Sequence, residues 1–208
     1  FREFDGHPAF DVCGLVRDTF FLPFFSASQQ QRLVVGVDVL DQGALFAAVE
    51  RVNPDVIINC VGLIKQKVHA ENPLVVLPIN AMLPHRLAEL CAPRNIRLIH
   101  ISTDCVFSGR KGMYREVDPS DAEDLYGKSK FIGELRDLPF AVTLRTSIVG
   151  HELYSKHALM DWFLSQRGPV VPGFRRSIFS GMTAIELARI MKCLFQILRT
   201  GQHMLRLK

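Results

Sequence analysis

Tyr126 and Lys130 stand four residues apart in the stretch Tyr126-Gly127-Lys128-Ser129-Lys130, a spacing that puts both on one face of a helix. A phenol with an ordinary pKa near ~10 is a poor acid or base at neutral pH until a cation stabilises its anion. Lys130 can supply that cation. Thr103 ends the preceding apolar run and can hydrogen-bond the same oxygen that the phenol protonates. The three make a general-acid device for reducing a carbonyl, or a base for the reverse reaction. A lone Tyr-x-x-x-Lys is common on helix surfaces. The weight here comes from Ile101-Ser102-Thr103-Asp104 ahead of it and from the alternating strand and helix signals around both.

Those signals predict the elements that must position the three residues. Strand-length apolar runs occupy 11–16, 32–37, 55–60, 96–102 and 140–145, and the near-continuous ones suit strands buried on both faces. Asp41 can cap a helix through Arg51, with Ala44, Leu45, Ala48, Val49 and Val52 on one face, and Asn53-Pro54 stops it. Pro73, Pro78 and Pro84 predict a kinked helix or two helices over 71–92. A helix over 121–136 carries Tyr126 and Lys130, and the capping box Thr183-x-x-Glu186 opens another through Leu198. Residues 19–31 are polar and Phe-rich and carry no clear element. Strand alternating with helix argues for parallel βαβ units with right-handed crossovers.

At 208 residues the chain can build a substantial core. No apolar run approaches the roughly 20 residues that span a bilayer, so no membrane association is expected. The net charge of +4 is mild and its Lys and Arg are scattered, which excludes a nucleic-acid-binding patch and suits a small anionic ligand. Five cysteines without a CxxC read as reduced thiols in a cytoplasmic protein. Cys105, two residues past Thr103, is the one whose thiol could be reactive. His151, Glu152 and His157 lack the spacing of a helical zinc site, so no metal is expected.

The segments ISTDCVFSG (101–109), GMYREVD (112–118), DLYGKSKFIGEL (124–135) and VTLRTSIVG (142–150) follow the order and spacing of the extended short-chain dehydrogenase/reductases. Within them the chain resembles the dTDP-4-dehydrorhamnose reductase branch, the STD-x-VF-x-G segment being the most branch-specific. The resemblance runs from about Val12 to about Gly150. It implies an α/β fold, a doubly wound Rossmann-type parallel sheet over 1–150 with a small C-terminal substrate lobe over 151–208. It also implies an opening strand and a Gly-rich turn for a pyrophosphate. No G-x-x-G-x-x-G stands in this chain, and residues 1–7 read as the end of the helix that would follow such a turn. The chain is therefore expected to be part of a longer protein.

Carried over residue by residue, the resemblance makes Tyr126 the proton donor and Thr103 the residue that orients the carbonyl. Lys130 lowers the phenol pKa and binds the nicotinamide ribose. Arg17 stands where such enzymes meet an NADP 2′-phosphate, with Asp18 directly after it. Asp38 and Val39 match the adenine contacts. Asn59, Cys60, Val61 and Gly62 match a segment where the backbone approaches the cofactor, Val61 replacing the usual Ala, and Asn80 matches an Asn that supports the lysine. Ser147 and Ile148 fall at the sugar pocket, Ile148 where the branch has Trp. Arg175 and Arg176 are candidates for the substrate diphosphate. Gly133 suits close helix packing, and Glu134 reads as structural.

The leading expectation is an NAD(P)H-dependent reductase of the 4-keto group of a nucleotide-diphospho-sugar, NADP(H) preferred and NAD(H) allowed, compatible with a homodimer. The alternatives are an epimerase or dehydratase with bound NAD and a non-catalytic regulatory protein on the same fold.

Overall fold

The computed structural model describes residues 1–65, 71–154, 158–168, 170–171, 173, 175 and 179–200, with backbone alone for 196–200. Its largest sheet joins β3 (Val56–Asn59), β4 (Arg97–Ile101) and β5 (Ala141–Leu144), in the order β3-β4-β5 and all parallel. A second parallel pair is β1 (Gly14–Val16) with β2 (Leu33–Val35), and a third is β6 (Ile148–Val149) with β7 (Met182–Thr183). Among the described residues no ladder joins the three pieces.

Successive side chains of β4 point to opposite faces, and the chain covers both. Leu98 lies in one core with Leu45 and Val49 of α2 (Gln42–Val52) and Leu83, Leu87 and Cys91 of α4 (Leu83–Cys91). Ile99 lies in the other, with Phe4 and with Leu187 and Met191 of α7 (Ala184–Thr200). Leu98 and Ile99 are 0% exposed, and burial on that scale contributes about 2 kcal/mol per side chain. Helix layers on both faces of a parallel sheet make the doubly wound arrangement.

Local chemistry sets most of the boundaries. The Asp41 carboxylate caps α2 by accepting from Ala44 N, and Asn53 ends it in the left-handed region at φ 46°. The segment 19–31 has more structure than its composition suggests. A 3₁₀ turn spans Thr19–Phe24, and α1 (Ala27–Gln30) starts from a reciprocal Ser26/Gln29 capping box, a signal legible in the sequence.

The proline-rich helix is one continuous run: α3 (Pro73–Leu77), a π-helical turn at Pro78–Met82, and α4. Pro73–Arg94 is 22 residues long and holds an 18-residue stretch of mean hydropathy 1.2, so by length and composition alone it could cross a membrane, more apolar than the sequence expectation allowed. Its apolar side is used as a core wall, Leu83, Leu87, Ala88 and Cys91 facing Leu98. Helix α5 is shorter than predicted, Leu125–Ile132 instead of 121–136. Asp121 is held by Ser108 and Tyr114, which leaves Asp124 to accept from Gly127 N and open the helix. A shorter helix α6 (Leu159–Ser165) follows β6.

Candidate active site

Thr103 follows the C-terminal end of β4, where ligands bind in open α/β sheets. It is 5% exposed; its hydroxyl accepts from Cys105 N at 3.1 Å and donates to Asp104 Oδ1 at 3.3 Å. Helix α5 brings Tyr126 to it. Burial pushes the phenol above its ordinary value, while the Thr103 hydroxyl and, more weakly, the Lys65 ammonium pull it back. Lys130 is 4% exposed and donates to Ile101 O at 2.7 Å. Burial lowers its pKa to about 8, against the opposing pull of Glu134 and Cys60.

Two glycines allow α5 to come this close. A Cβ on Gly127 would stand 2.3 Å from Cys105 O, and one on Gly133 only 2.0 Å from Asn80 O. The helix therefore touches the 104–106 turn at one end and the π-helical turn at the other. Asn80, 0% exposed in that turn, uses its whole amide: Oδ1 accepts from Leu63 N at 2.8 Å, and Nδ2 donates to Leu63 O at 3.0 Å and Ser129 Oγ at 3.3 Å. Its support of Lys130 is thus indirect, through the loop after β3. In that loop a Cβ on Gly62 would stand 3.5 Å from Asn80 Oδ1 and 3.7 Å from Lys130 Nζ.

Beneath the loop, Asn59 is 3% exposed, and its Nδ2 meets His100 Nδ1 at 3.1 Å across the β3–β4 pair while its Oδ1 accepts from Val61 N. With Nδ1 as acceptor, the ring proton sits on Nε2, a buried atom with no partner among the described residues. Burial first, then Lys130, drives the His100 pKa down to about 3, so the ring is neutral.

The remaining expected residues lie around this centre or apart from it. Cys60, Val61 and Gly62 are exposed along the loop after Asn59. Burial pushes the Cys105 thiol up, away from a reactive thiolate. Arg17, at the end of β1, is exposed and 3.7 Å from Asp18. Asp38 does not cap a helix; its carboxylate accepts from Leu40 N, and Val39 packs on the core that contains Leu98. Ile148 is 47% exposed, and the carbonyl of Ser147 accepts from Met182 N. Arg175 is exposed, and Arg176 lies outside the described residues.

Sequence reasoning passed over Lys65. Its ammonium is 2.6 Å from Asp124 Oδ2 and 5.6 Å from the centroid of the Tyr126 ring. No local pattern signals it, because the contact joins residues 59 apart in the chain.

A family model described as RmlD substrate binding domain matches residues 23–163. A probable low-salt glycan biosynthesis reductase of Haloferax volcanii is 37% identical over 117 residues, covering 54% of this chain and 39% of that protein. A dTDP-4-dehydrorhamnose reductase of Mycobacterium tuberculosis is 37% identical over 113 residues, 50% of this chain and 37% of that protein. The chain thus spans less than half the length of these curated relatives. A solved structure described as a hypothetical dTDP-4-dehydrorhamnose reductase of Sulfolobus tokodaii superposes with a TM-score of 0.67 at 27% identity. That superposition covers 84% of this chain and 63% of the other. The matched region contains Thr103, Tyr126 and Lys130 together with the strands and helices that hold them, and the chain belongs to the RmlD substrate binding domain family.

Proposed function

We propose that this protein reduces the 4-keto group of a nucleotide-diphospho-sugar with NAD(P)H. The observation that carries the reading is the grouping beyond the end of β4. There a half-buried phenol stands beside the Thr103 hydroxyl, on a helix whose two glycines fix its approach. The reductase names of the Haloferax and Mycobacterium relatives support it.

The residues present fit a nicotinamide dinucleotide. Gly62 brings side-chain-free backbone next to Lys130, where a Cβ would already stand in van der Waals contact with Nζ, and an ammonium has three donors, of which Ile101 O takes one. When bound, the dinucleotide supplies the hydride that reduces the carbonyl carbon. Lys130 and the 60–62 backbone would hold it, with Asn59 bracing that backbone from below through Val61 N. Tyr126 gives its proton to the carbonyl oxygen as negative charge develops there, and Thr103 hydrogen-bonds the same oxygen. The exposed guanidinium of Arg17 favours the 2′-phosphate of NADPH, and Ser147, Ile148 and Arg175 would face the sugar-nucleotide. The division into a dinucleotide-binding part (1–150) and a substrate lobe (151–208) belongs to the same proposal.

The test is reduction of a 4-keto nucleotide sugar by the purified protein, followed as stoichiometric loss of NADPH. Tyr126→Phe should lower turnover by about 10²–10⁴-fold and leave cofactor affinity close to wild type. A mutant keeping half the wild-type turnover would overturn the assignment. Turnover without net cofactor consumption would point to an epimerase or dehydratase.

A further inference from the structure

The spacing of Tyr126 and Lys130 nominates Lys130 as the cation that acts on the phenol, but Lys130 directs its ammonium to Ile101 O at 2.7 Å. The acidic groups that act on it are Glu134 and the Cys60 thiol. The cation over the Tyr126 ring is Lys65, 5.6 Å from the centroid. Its position is held. Asp124 accepts from Gly127 N at 2.7 Å through Oδ1, which opens α5, and from Lys65 Nζ at 2.6 Å through Oδ2. One carboxylate therefore ties the start of the helix to the loop that carries the lysine. That loop is clamped at Leu63 by Asn80, which also bonds Ser129 on α5.

We propose that Lys65 is a positioning residue for Tyr126, its ammonium fixed over the phenol ring by Asp124 so as to favour the phenolate left when the proton is given up. The inference rests on Tyr126 being the proton donor. A cation over an aromatic face is attracted by the ring quadrupole, and an anionic ring attracts it further through charge. Among the described residues, the other charged or titratable groups around the phenol are Asp104 and Cys105 on the 104–106 turn, Asp124 at the helix start and Lys130 one turn on. Asp104 and Cys105 oppose the phenolate and Lys65 favours it. The ammonium stays charged: burial works against it, but the hydrogen bond it donates to Asp124, with the acidic groups nearby, outweighs burial and raises its pKa.

Fluorinated tyrosine incorporated throughout the chain brings phenol titration towards neutral pH, and fluorine NMR then follows each ring separately. The chain has three tyrosines, and the resonance lost in Tyr126→Phe identifies the one of interest. Lys65→Met should raise the Tyr126 midpoint by about one pH unit, while Lys65→Arg should keep it near wild type. A midpoint unchanged in Lys65→Met would overturn the proposal. So would an equal rise in Lys65→Arg, which would show that packing and not charge is at work. Should Lys65→Met lose native helicity, Lys65→Gln takes its place with the same expectations. The titration needs neither cofactor nor sugar, so its outcome is separate from whether the protein reduces a nucleotide sugar.

Discussion

Lys130 carries an ammonium into an interior that leaves the residue 4% exposed, and the folded chain bears the cost of desolvating it. Its pKa falls from the ordinary 10.5 to about 8. Between those values the unfolded chain holds a proton that the folded chain has released, so stability rises with pH across that window. Below about pH 8 both states are charged and the penalty, about 3 kcal/mol at most, is present in full. Lys130→Met removes it but leaves Ile101 O without its donor, a loss of about 1–3 kcal/mol. The mutant should therefore be at least as stable as wild type at pH 7 and lose ground steadily towards pH 10. Urea midpoints of the two proteins across that range check this, and a difference independent of pH would contradict it. The Tyr126 and Lys130 pair is legible from spacing alone. The bond to Ile101 O and the placing of Lys65 are not, because both depend on residues far apart in the chain.

Helix α5 depends on what it lacks. Gly133 has an ordinary helical φ of −76°, so its role is space and not backbone freedom. A Cβ there would meet Asn80 O at 2.0 Å and Pro84 Cγ at 3.2 Å, and backbone against backbone cannot yield without moving a helix. Gly133→Ala should cost about 1–3 kcal/mol, the usual range for overpacking. It should also lower turnover, because Asn80 clamps Leu63 in the loop beside Lys130. Unfolding and steady-state rates measured on the same preparation test both parts; full stability would show that the helices separate freely. The sequence showed that three prolines must disturb 71–92, but not how. The π-helical turn at Pro78–Met82 keeps the run continuous and buries Asn80 completely, an irregularity often found at functional sites.

Across the molecule, Glu134 binds three elements together. Its Oε1 accepts from Ser102 Oγ after β4 and from Arg145 Nε after β5, and its Oε2 takes a second Arg145 hydrogen bond at 2.7 Å. The Glu134 side chain is 2% exposed and that of Arg145 16%, so removing Glu134 leaves a largely buried guanidinium without its carboxylate, with only Glu116 O and the Phe107 ring beside it. Glu134→Ala should cost about 3–5 kcal/mol, and a Glu134→Leu/Arg145→Met double replacement should recover most of it. Denaturant unfolding of both variants decides; a single mutant within experimental error of wild type would show the network idle. Sequence by itself determined the alternation of strand and helix, the capping residues and the Tyr126/Lys130 spacing, because each depends on neighbours within one or two turns of chain. The tertiary structure alone decided which cation meets the phenol, what Asn80 and Glu134 bind, and how closely Gly127 and Gly133 let α5 approach. Those contacts join segments tens of residues apart, and no local pattern encodes the distance between two surfaces that meet only when the sheet has formed.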